Sequence, residues 1–592
     1  MNLTYGVFKG DFLPYEERFP DFEDFWTGYY STRLHMKRLI RHVFNDIQST
    51  KTLLAIRATH YNRNQINFND VDSFKIDSIQ EKITNAERKW AIMMHHDAIT
   101  GTHTVHTAPS YYQILKEALH YLNSAREMLD EKLIRVIPKS TVAHLNEIVG
   151  NLSNPEIFHH TIVNPSGYYR IQILNVTVPI TNSNEKDNYV VYVQDKDTVI
   201  PITKAYFADI YELNKASNKP QKIRKVFFIM PLDALSDKQV YIISTSRASD
   251  CEKSTMTCAK KKEEKKISGP IQMGNRVIRV DINKNGDLES FEFMQSQSKE
   301  NFTERLTYHV TNQKTRSGLY LFNPRNTKID VKFSRTEIYE FSMTNLLSIV
   351  QVYKYNGKER MLKTYIVNQN GCPNLMKQLF MELQIDSSRV AEISLSLKKG
   401  YKSSDATHKA YADDSMKLVE RPIFDINSKI PHTTLSELEG YYTSPCVHGG
   451  MIRESYKEMS NSHQKESFFG WANSNPLGCT FSDKNEVAFM VFRSIGQSDY
   501  KGVNDRYNDE HVISTSFQFY IDSSVHGALF HKVRANTKIN EPYGIFTKII
   551  TKNAFDRIPV SSNMFSDFLN FNNGQIQLSS EFGEVTTFCF IL

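Results

Sequence analysis

The sequence predicts an α+β multidomain chain, a three-helix bundle followed by large antiparallel β-sandwich domains. Three observations carry this reading. Apolar residues recur at helical spacing between about 34 and 136. From about 140 onward the texture changes to short alternating or apolar runs broken by Asn, Gly, Asp and Pro. And 592 residues exceed what one ordinary domain holds.

Residues 1–33 are aromatic and turn-rich, end in "FWTGYYSTR", and are too few to form a core of their own. In "LHMKRLIRHVFNDIQSTKTLLAIRATH", Met36, Leu39, Ile40, Val43, Phe44 and Ile47 repeat at i, i+3, i+4, i+7, which predicts an amphipathic helix. A second helix starts at a cap on Asp77 or Ser78 and runs through about His96, with Gly101 as its stop. A third runs from about Pro109 to Val136 and stops at Pro138. Three antiparallel helices with modest connections make a small bundle. Runs such as "RIQILNVTVPI", "YVVYVQ", "KVFFIMPL" and "RVIRVDIN" then predict the β region, which persists to "TTFCFIL". The expected units are 1–33, 34–138, 139–268 as a β-sandwich, and 269–592 as a C-terminal β-sandwich.

The net charge of +6 is small for this length, and part of it comes from "AKKKEEKKIS" at 259–268. Both signs mix there, which predicts a solvated loop and no nucleic-acid partner. No apolar run reaches the ~18–20 residues of a membrane span. The first residues lack a basic segment followed by an apolar one, so no signal peptide is expected there. Six cysteines exclude a disulfide scaffold; Cys251 and Cys258 are spaced for a local bridge, and the spacing leaves open whether one forms. Sequons at Asn2, Asn151, Asn175 and Asn301 are compatible with a secretory route.

The chemistry concentrates in "KWAIMMHHDAITGTHTVH", Lys89 to His106. Adjacent helical residues point about 100° apart, so His95 and His96 are expected to diverge. A His-Asp pair at a helix end reads equally as a solvated terminus or as one ligand beside one acceptor carboxylate. A zinc site needs three or four ligands, so the pair alone does not make one.

"HHDAITGTHTVH" resembles the motif of the family-38 glycoside hydrolases, the class II α-mannosidases. The resemblance extends to "GDFLPYEERFPDFEDFWTGYYSTRLHMKR" at 10–38, "RSGLYLFNP" at 316–324, "YADDSMKLVERP" at 411–422, "YYTSPCVHGGMIRE", and "NPLGCTFSDKNEVAFMVFRSIGQSDYKGVND", in family order. It implies that residues 1–33 correspond to the end of the family's α/β barrel, and that the bundle and sandwiches correspond to its middle and C-terminal domains. The implied activity is zinc-dependent, retaining hydrolysis of terminal α-mannosyl residues of N-glycan oligosaccharides. By position, His96 matches a zinc ligand and Asp97 the carboxylate that binds mannose hydroxyls. Trp26 matches the tryptophan that packs on the sugar, and Tyr320 an active-site tyrosine. Arg493 matches a substrate-binding arginine of a family segment that has Arg-Arg where this chain reads "FRSIG". His95 is expected as a structural neighbour, and Asp11 and Tyr15 as the floor below Trp26.

The family's barrel carries a zinc-binding His-x-Asp pair, in a His-x-Asp-Pro-Gly-Trp segment, and also the catalytic aspartate, which is both nucleophile and zinc ligand; this sequence contains no such segment. The resemblance therefore implies one of its four zinc ligands here and no catalytic carboxylate. Three expectations follow: a truncated α-mannosidase inactive by itself, a non-catalytic carbohydrate-binding or interaction remnant, or one chain of a processed enzyme whose barrel is a separate polypeptide. The expected partner is a mannose-containing oligosaccharide. The expected location is lysosomal, vacuolar or secreted, with the Golgi as the alternative.

Overall fold

The computed structural model describes residues 16–550 apart from 19–22, 64–72, 135–138, 153–154, 165–168, 179, 181–187, 196–197, 218, 247–249, 252–256, 295–297, 312–316, 370–375, 404–405, 415–417, 424–442, 459–460, 483–484, 510 and 523–542. The chain opens with a small hairpin, Glu16–Arg18 against Glu23–Phe25. A single helical turn, α1 (Gly28–Ser31), leads into α2 (Leu34–Arg63), α3 (Ser73–Ile92) and α4 (Ala108–Ile134). Met36, Ile40, Val43 and Ile47 of α2 pack on Ala86 of α3 and on Leu115, Ala118 and Leu122 of α4, the stripe that the apolar spacing predicts. An ion pair lies inside the bundle: Arg126 bonds Asp46 at 3.1 Å, and its Nε donates to Thr50 Oγ1 at 3.0 Å. The cost of burying both charges is offset by this mutual satisfaction.

Two features of the helical region differ from expectation. The helix expected through His96 ends at Ile92, because Met93, Met94 and His95 donate their N–H groups three residues back, to Trp90, Ala91 and Ile92. Such bonds tighten the last turn and redirect the chain. A fourth long helix, α5 (Lys139–Gly150), stands where strands are expected to begin. Its Leu145, Ile148 and Val149 pack on Ile157, Val190, Tyr241 and Ile243 of the strands Glu156–Asn164, Asn188–Asp195 and Ser236–Thr245.

The β region is two sandwiches. In the smaller, a sheet ordered Lys260–Lys261, Ala205–Glu212, Gln221–Leu232, Arg170–Val178 faces one ordered Tyr543–Ile550, Glu156–Asn164, Ser236–Thr245, Asn188–Asp195, Thr198–Pro201. Phe158, Val191, Phe207, Val226, Phe228 and Ile242 fill the space between. The strand Tyr543–Ile550, expected within the C-terminal unit, pairs here with Glu156–Asn164. The larger sandwich packs a ten-stranded sheet running from Lys265–Ile267 to Leu418–Arg421 against a nine-stranded one that includes Ser298–Thr311, Glu392–Lys399 and Glu486–Arg493. Its core is aromatic; Trp471 meets Phe489 edge-on at 5.1 Å.

The charged run 259–268 forms two short edge strands joining the sandwiches, in place of the expected loop. Its exposed lysines sit where a charged edge discourages pairing with other chains. Cys251 and Cys258 are joined in a disulfide, which answers the question their spacing left open. Among the described residues no helix is long and apolar enough to cross a membrane.

Helix α2 is bolted to the larger sandwich by its polar face. Arg38 donates to the carbonyl of Ser514 at 3.1 Å, and Arg41 donates to those of Ser474 at 3.1 Å and Val447 at 2.8 Å. The bundle and the sandwich therefore hold a fixed relation, and the loops between them can build one surface. Replacing Asp46 by Ala strands the Arg126 charge; the expected loss is about 3 kcal/mol of unfolding free energy, read from denaturant midpoints at constant slope.

Candidate functional site

Four segments without regular structure or with a single turn converge where the bundle meets the larger sandwich: 26–33, 93–107, 317–323 and 494–509. Each exposes backbone groups that no helix or strand satisfies, so side chains must do it. The first and third are stitched together directly. Gly28 N–H donates to the carbonyl of Tyr320 at 2.9 Å, and Thr32 Oγ1 donates to that of Leu319 at 2.8 Å. A Cβ on Gly28 would stand 2.1 Å from the Leu319 carbonyl oxygen, so only glycine permits this approach.

The loop of the His-His-Asp motif is held by cations from the start of α2. Arg33 donates to the carbonyls of Gly101 at 3.1 Å and His103 at 2.9 Å. Lys37 donates to those of Ile99 at 2.6 Å and Thr100 at 2.8 Å. Arg33 adopts φ of 56°, an uncommon left-handed conformation for a side-chain-bearing residue. Gly101, at φ of 78°, lies against it, and a Cβ there would meet the Thr32 carbonyl oxygen at 2.8 Å. Burial, with the neighbouring Arg33 and Arg493 charges, pushes the Lys37 ammonium well below its usual range.

Within this frame Asp97 is half-exposed and held by its neighbours. Thr102 Oγ1 donates to its Oδ1 at 3.0 Å, and the His103 ring Nδ1 lies 2.7 Å from its carbonyl. The Nε2 atoms of His95 and His96 both lie 3.4 Å from Asp97 Oδ2, and their ring centroids are 4.1 Å apart. The expected divergence of the two imidazoles does not occur, since it presumed a helix that has already ended. His96 is the more exposed of the two, its side chain 83% accessible. Donors around a tetrahedral ion with bonds of about 2.0–2.1 Å stand about 3.3 Å apart, so the two histidine–carboxylate separations fit a zinc-type ion.

The aromatic wall stands beside this group. Trp26 and Tyr320 meet edge-on at 5.4 Å, and Tyr29 joins them at 5.3 and 6.2 Å. Tyr320 is buried, and its hydroxyl donates to the carbonyl of Thr102 at 3.3 Å, which ties the wall to the Asp97 loop. Burial, then the charges of Asp97 and Asp499, raise its phenol above the ordinary value. Asp499 accepts the N–H groups of Tyr320 at 2.8 Å and Leu321 at 3.0 Å. Burial nonetheless leaves the Asp499 carboxyl raised above its usual range. Lys501 lies over the Trp26 ring, 5.7 Å from its centroid.

The structure thus gathers Trp26, Tyr320, Asp97 and His96 into one surface. Arg493 lies behind it, fully buried. Its guanidinium pairs with Glu392, bonds Thr32 Oγ1, and donates to the carbonyls of Gly318 at 2.9 Å and Leu321 at 2.8 Å. Those contacts make it a support for the Tyr320 loop, where a substrate contact was expected. Asp11 and Tyr15 lie outside the described residues. Sequence reasoning passed over Tyr29, Arg33, Lys37, Thr102, Asp499 and Lys501. All lie in or next to the quoted segments, and their roles depend on contacts made across long stretches of chain.

Comparison with known proteins adds an independent line. The family model "Alpha mannosidase middle domain" matches residues 24–133, which contain Trp26, the bundle and the His-His-Asp loop. The chain is similar to Alpha-mannosidase E of Dictyostelium discoideum, 24% identical over 535 residues, covering 85% of this chain and 43% of that protein. It is similar to Alpha-mannosidase 2 of Drosophila melanogaster, 25% identical over 138 residues, covering 23% of this chain and 11% of that protein. Lysosomal alpha-mannosidase of Bos taurus is 33% identical over 116 residues, covering 20% and 10%. The chain thus spans less than half the length of these relatives. Among solved structures, an alpha-mannosidase from Enterococcus faecalis V583 shares the fold with a TM-score of 0.56 at 12% identity, covering 88% of this chain and 58% of that one.

Two predictions follow from this geometry. Gly101→Ala forces the Arg33 and Gly101 turns apart and is expected to cost about 1–3 kcal/mol, measured by denaturant unfolding, and to abolish sugar binding at the site. Burial and the Arg33 charge lower the His103 pKa to about 4, against the ordinary histidine value of 6.5. Its neutral form is therefore bound in the folded chain, and its contribution is complete above about pH 6.5 and lost as the pH falls toward 4. Hydrogen exchange over 95–107, corrected for intrinsic rate, should accelerate between pH 7 and 5. His103→Asn, which keeps a donor near Nδ1, should flatten that dependence.

Proposed function

We propose that this chain is a member of the family-38 α-mannosidases and carries the sugar-binding wall and one side of the metal site of a zinc-dependent retaining α-mannosidase. The observation that carries the reading is the single surface joining His96 and Asp97 to Trp26 and Tyr320. Its chemistry suits a terminal mannosyl residue. The Trp26 and Tyr29 rings offer an apolar face to the C–H side of a pyranose, and Asp97 offers an acceptor to its hydroxyls. The Tyr320 phenol, kept protonated by its raised pKa, gives its one proton to the Thr102 carbonyl and offers its oxygen lone pairs to a sugar hydroxyl. His96 would hold the ion together with Asp97, with His95 beside them. When bound, the ion acts as a Lewis acid toward substrate oxygens.

A retaining glycosidase needs two carboxylates about 5–5.5 Å apart, one as nucleophile and one as acid/base. In this reading Asp97 binds and orients, and both catalytic carboxylates come from a barrel that faces this surface, either in the same polypeptide or as a separate chain. The substrate is then the non-reducing α-mannosyl end of an N-glycan oligosaccharide. A secretory setting, lysosomal with the Golgi as the alternative, is supported by the Cys251–Cys258 bridge, which belongs to oxidising compartments. The exposed sequon residues Asn151, Asn175 and Asn301 are compatible with it.

Calorimetric titration of the 592-residue chain with methyl α-mannoside is expected to detect binding that methyl α-glucoside does not match. Asp97→Asn and Trp26→Ala should each weaken it at least tenfold. Equal binding of both sugars, or no effect of Asp97→Asn, would remove the reading. The chain by itself is expected to release no aryl alcohol from an aryl α-mannoside above background.

A further inference from the structure

The loop 498–505 runs along the aromatic wall and is fastened to it on both sides of Tyr500. Just before Tyr500, Asp499 accepts the N–H groups of Tyr320 at 2.8 Å and Leu321 at 3.0 Å. Just after it, Lys501 Nζ lies 5.7 Å from the Trp26 ring centroid. A Cβ on Gly502 would stand 3.4 Å from the Tyr320 hydroxyl, and Val503 packs in the cluster of Trp26, Tyr29 and Tyr320. Farther on, Asp505 Oδ2 accepts the Val105 N–H at 2.7 Å, which reaches the loop that carries Asp97. Tyr500 thus stands at the rim of the wall, between residues that touch it, and is nonetheless 73% exposed.

Taking that wall as the seat of the terminal mannosyl residue, the reading on which this inference rests, we propose that the Tyr500 ring is a platform for the second sugar. That sugar is the residue to which the terminal mannosyl group is joined. The ligand class is an α-linked manno-oligosaccharide, with its end on Trp26 and Tyr29 and its next ring on Tyr500. A pyranose carries C–H groups on its faces, which bury against an aromatic ring while the hydroxyls stay in water. Tyrosine offers that surface with only two side-chain torsions to order.

The backbone at Tyr500 supports a ligand role. Its φ is 61°, in the left-handed region that glycine occupies freely and a bulky side chain enters at a cost. The conformation is enforced locally. The Tyr500 N–H donates to Ser498 Oγ at 2.9 Å, that hydroxyl bonds Asn504 Oδ1, and the Lys501 N–H donates to Asp499 Oδ1 at 3.3 Å. An exposed tyrosine taken singly is ordinary. Here the ring combines strain with little burial to offset it, beside a sugar-binding surface, and strained positions of this kind cluster at ligand sites. Ring burial by a sugar supplies what folding leaves unmade.

Calorimetric titration of the 592-residue chain with methyl α-mannoside, and with the methyl α-mannobiosides joined through O2, O3 and O6, tests this. At least one mannobioside is expected to bind about fivefold more tightly than the monosaccharide, the gain from one stacked ring. Tyr500→Gly, which suits the left-handed backbone, should erase that advantage with a melting temperature no lower than the parent's. Tyr500→Phe, which keeps the ring, should preserve the advantage. The proposal is overturned if the advantage survives Tyr500→Gly, if it is lost in Tyr500→Phe, or if the parent chain prefers no mannobioside. Each of those results leaves the terminal mannosyl site standing. A parent chain that binds methyl α-mannoside no better than methyl α-glucoside removes that site itself, and the second platform with it.

Discussion

The architecture depends on three buried cations that donate to backbone carbonyls. Arg33 and Lys37 satisfy four carbonyls between Ile99 and His103, and Arg493 satisfies those of Gly318 and Leu321. These loops belong to no sheet or helix, so without such donors their carbonyls would be buried and unpaired, a cost of about 1–3 kcal/mol each. The cations are themselves linked. Arg493 bonds Thr32, next to Arg33, whose guanidinium also lies over the Tyr507 ring at 4.3 Å. A turn at the start of α2 therefore sets the position of segments from three distant parts of the chain.

That arrangement explains why the site can be exposed and still well placed. His96 and Asp97 face solvent, where their own contacts are weak and screened. Their precision comes from beneath, through Thr102, His103 and the carbonyl clamps. The aromatic wall is similarly supported from behind, by Asp499 on the amides of Tyr320 and Leu321. Function sits on loops, and rigidity is lent by charged side chains whose partners are other loops. Such buried cations are costly to dehydrate, which fits the depressed proton affinity of Lys37.

Much of the fold was legible because periodicity reports local structure. The apolar stripe Met36–Ile47 and the β runs after 150 read directly. The motif residues His96, Asp97, Trp26 and Tyr320 were found through their resemblance to a family pattern, and the structure assembles them. What escaped has a common cause. The early end of α3 at Ile92 depends on three-residue hydrogen bonds that periodicity does not report, and with it the convergence of His95 and His96 on one oxygen. Helix α5 has the right spacing but is short and stands where β texture was already expected. Arg493 carries the right residue type for an anion or sugar contact, yet its partners Glu392, Thr32 and Gly318 come from three places no local window spans. The pairing of Tyr543–Ile550 with Glu156–Asn164 is non-local in the same way.

The central claim is that one cation network holds both halves of the site, the His-His-Asp loop and the Tyr320 loop, as a unit. Hydrogen-exchange protection of the Tyr320 and Leu321 amides, followed in an Arg33→Lys chain, tests it most directly. Arg33 touches neither amide, but it joins the Gly101–His103 carbonyls to the turn that Arg493 and Tyr320 share. The account predicts that protection at 320–321 falls together with protection at 99–103, while the core of the bundle is unchanged. Loss confined to 99–103, with Tyr320 and Leu321 protected as before, would contradict it.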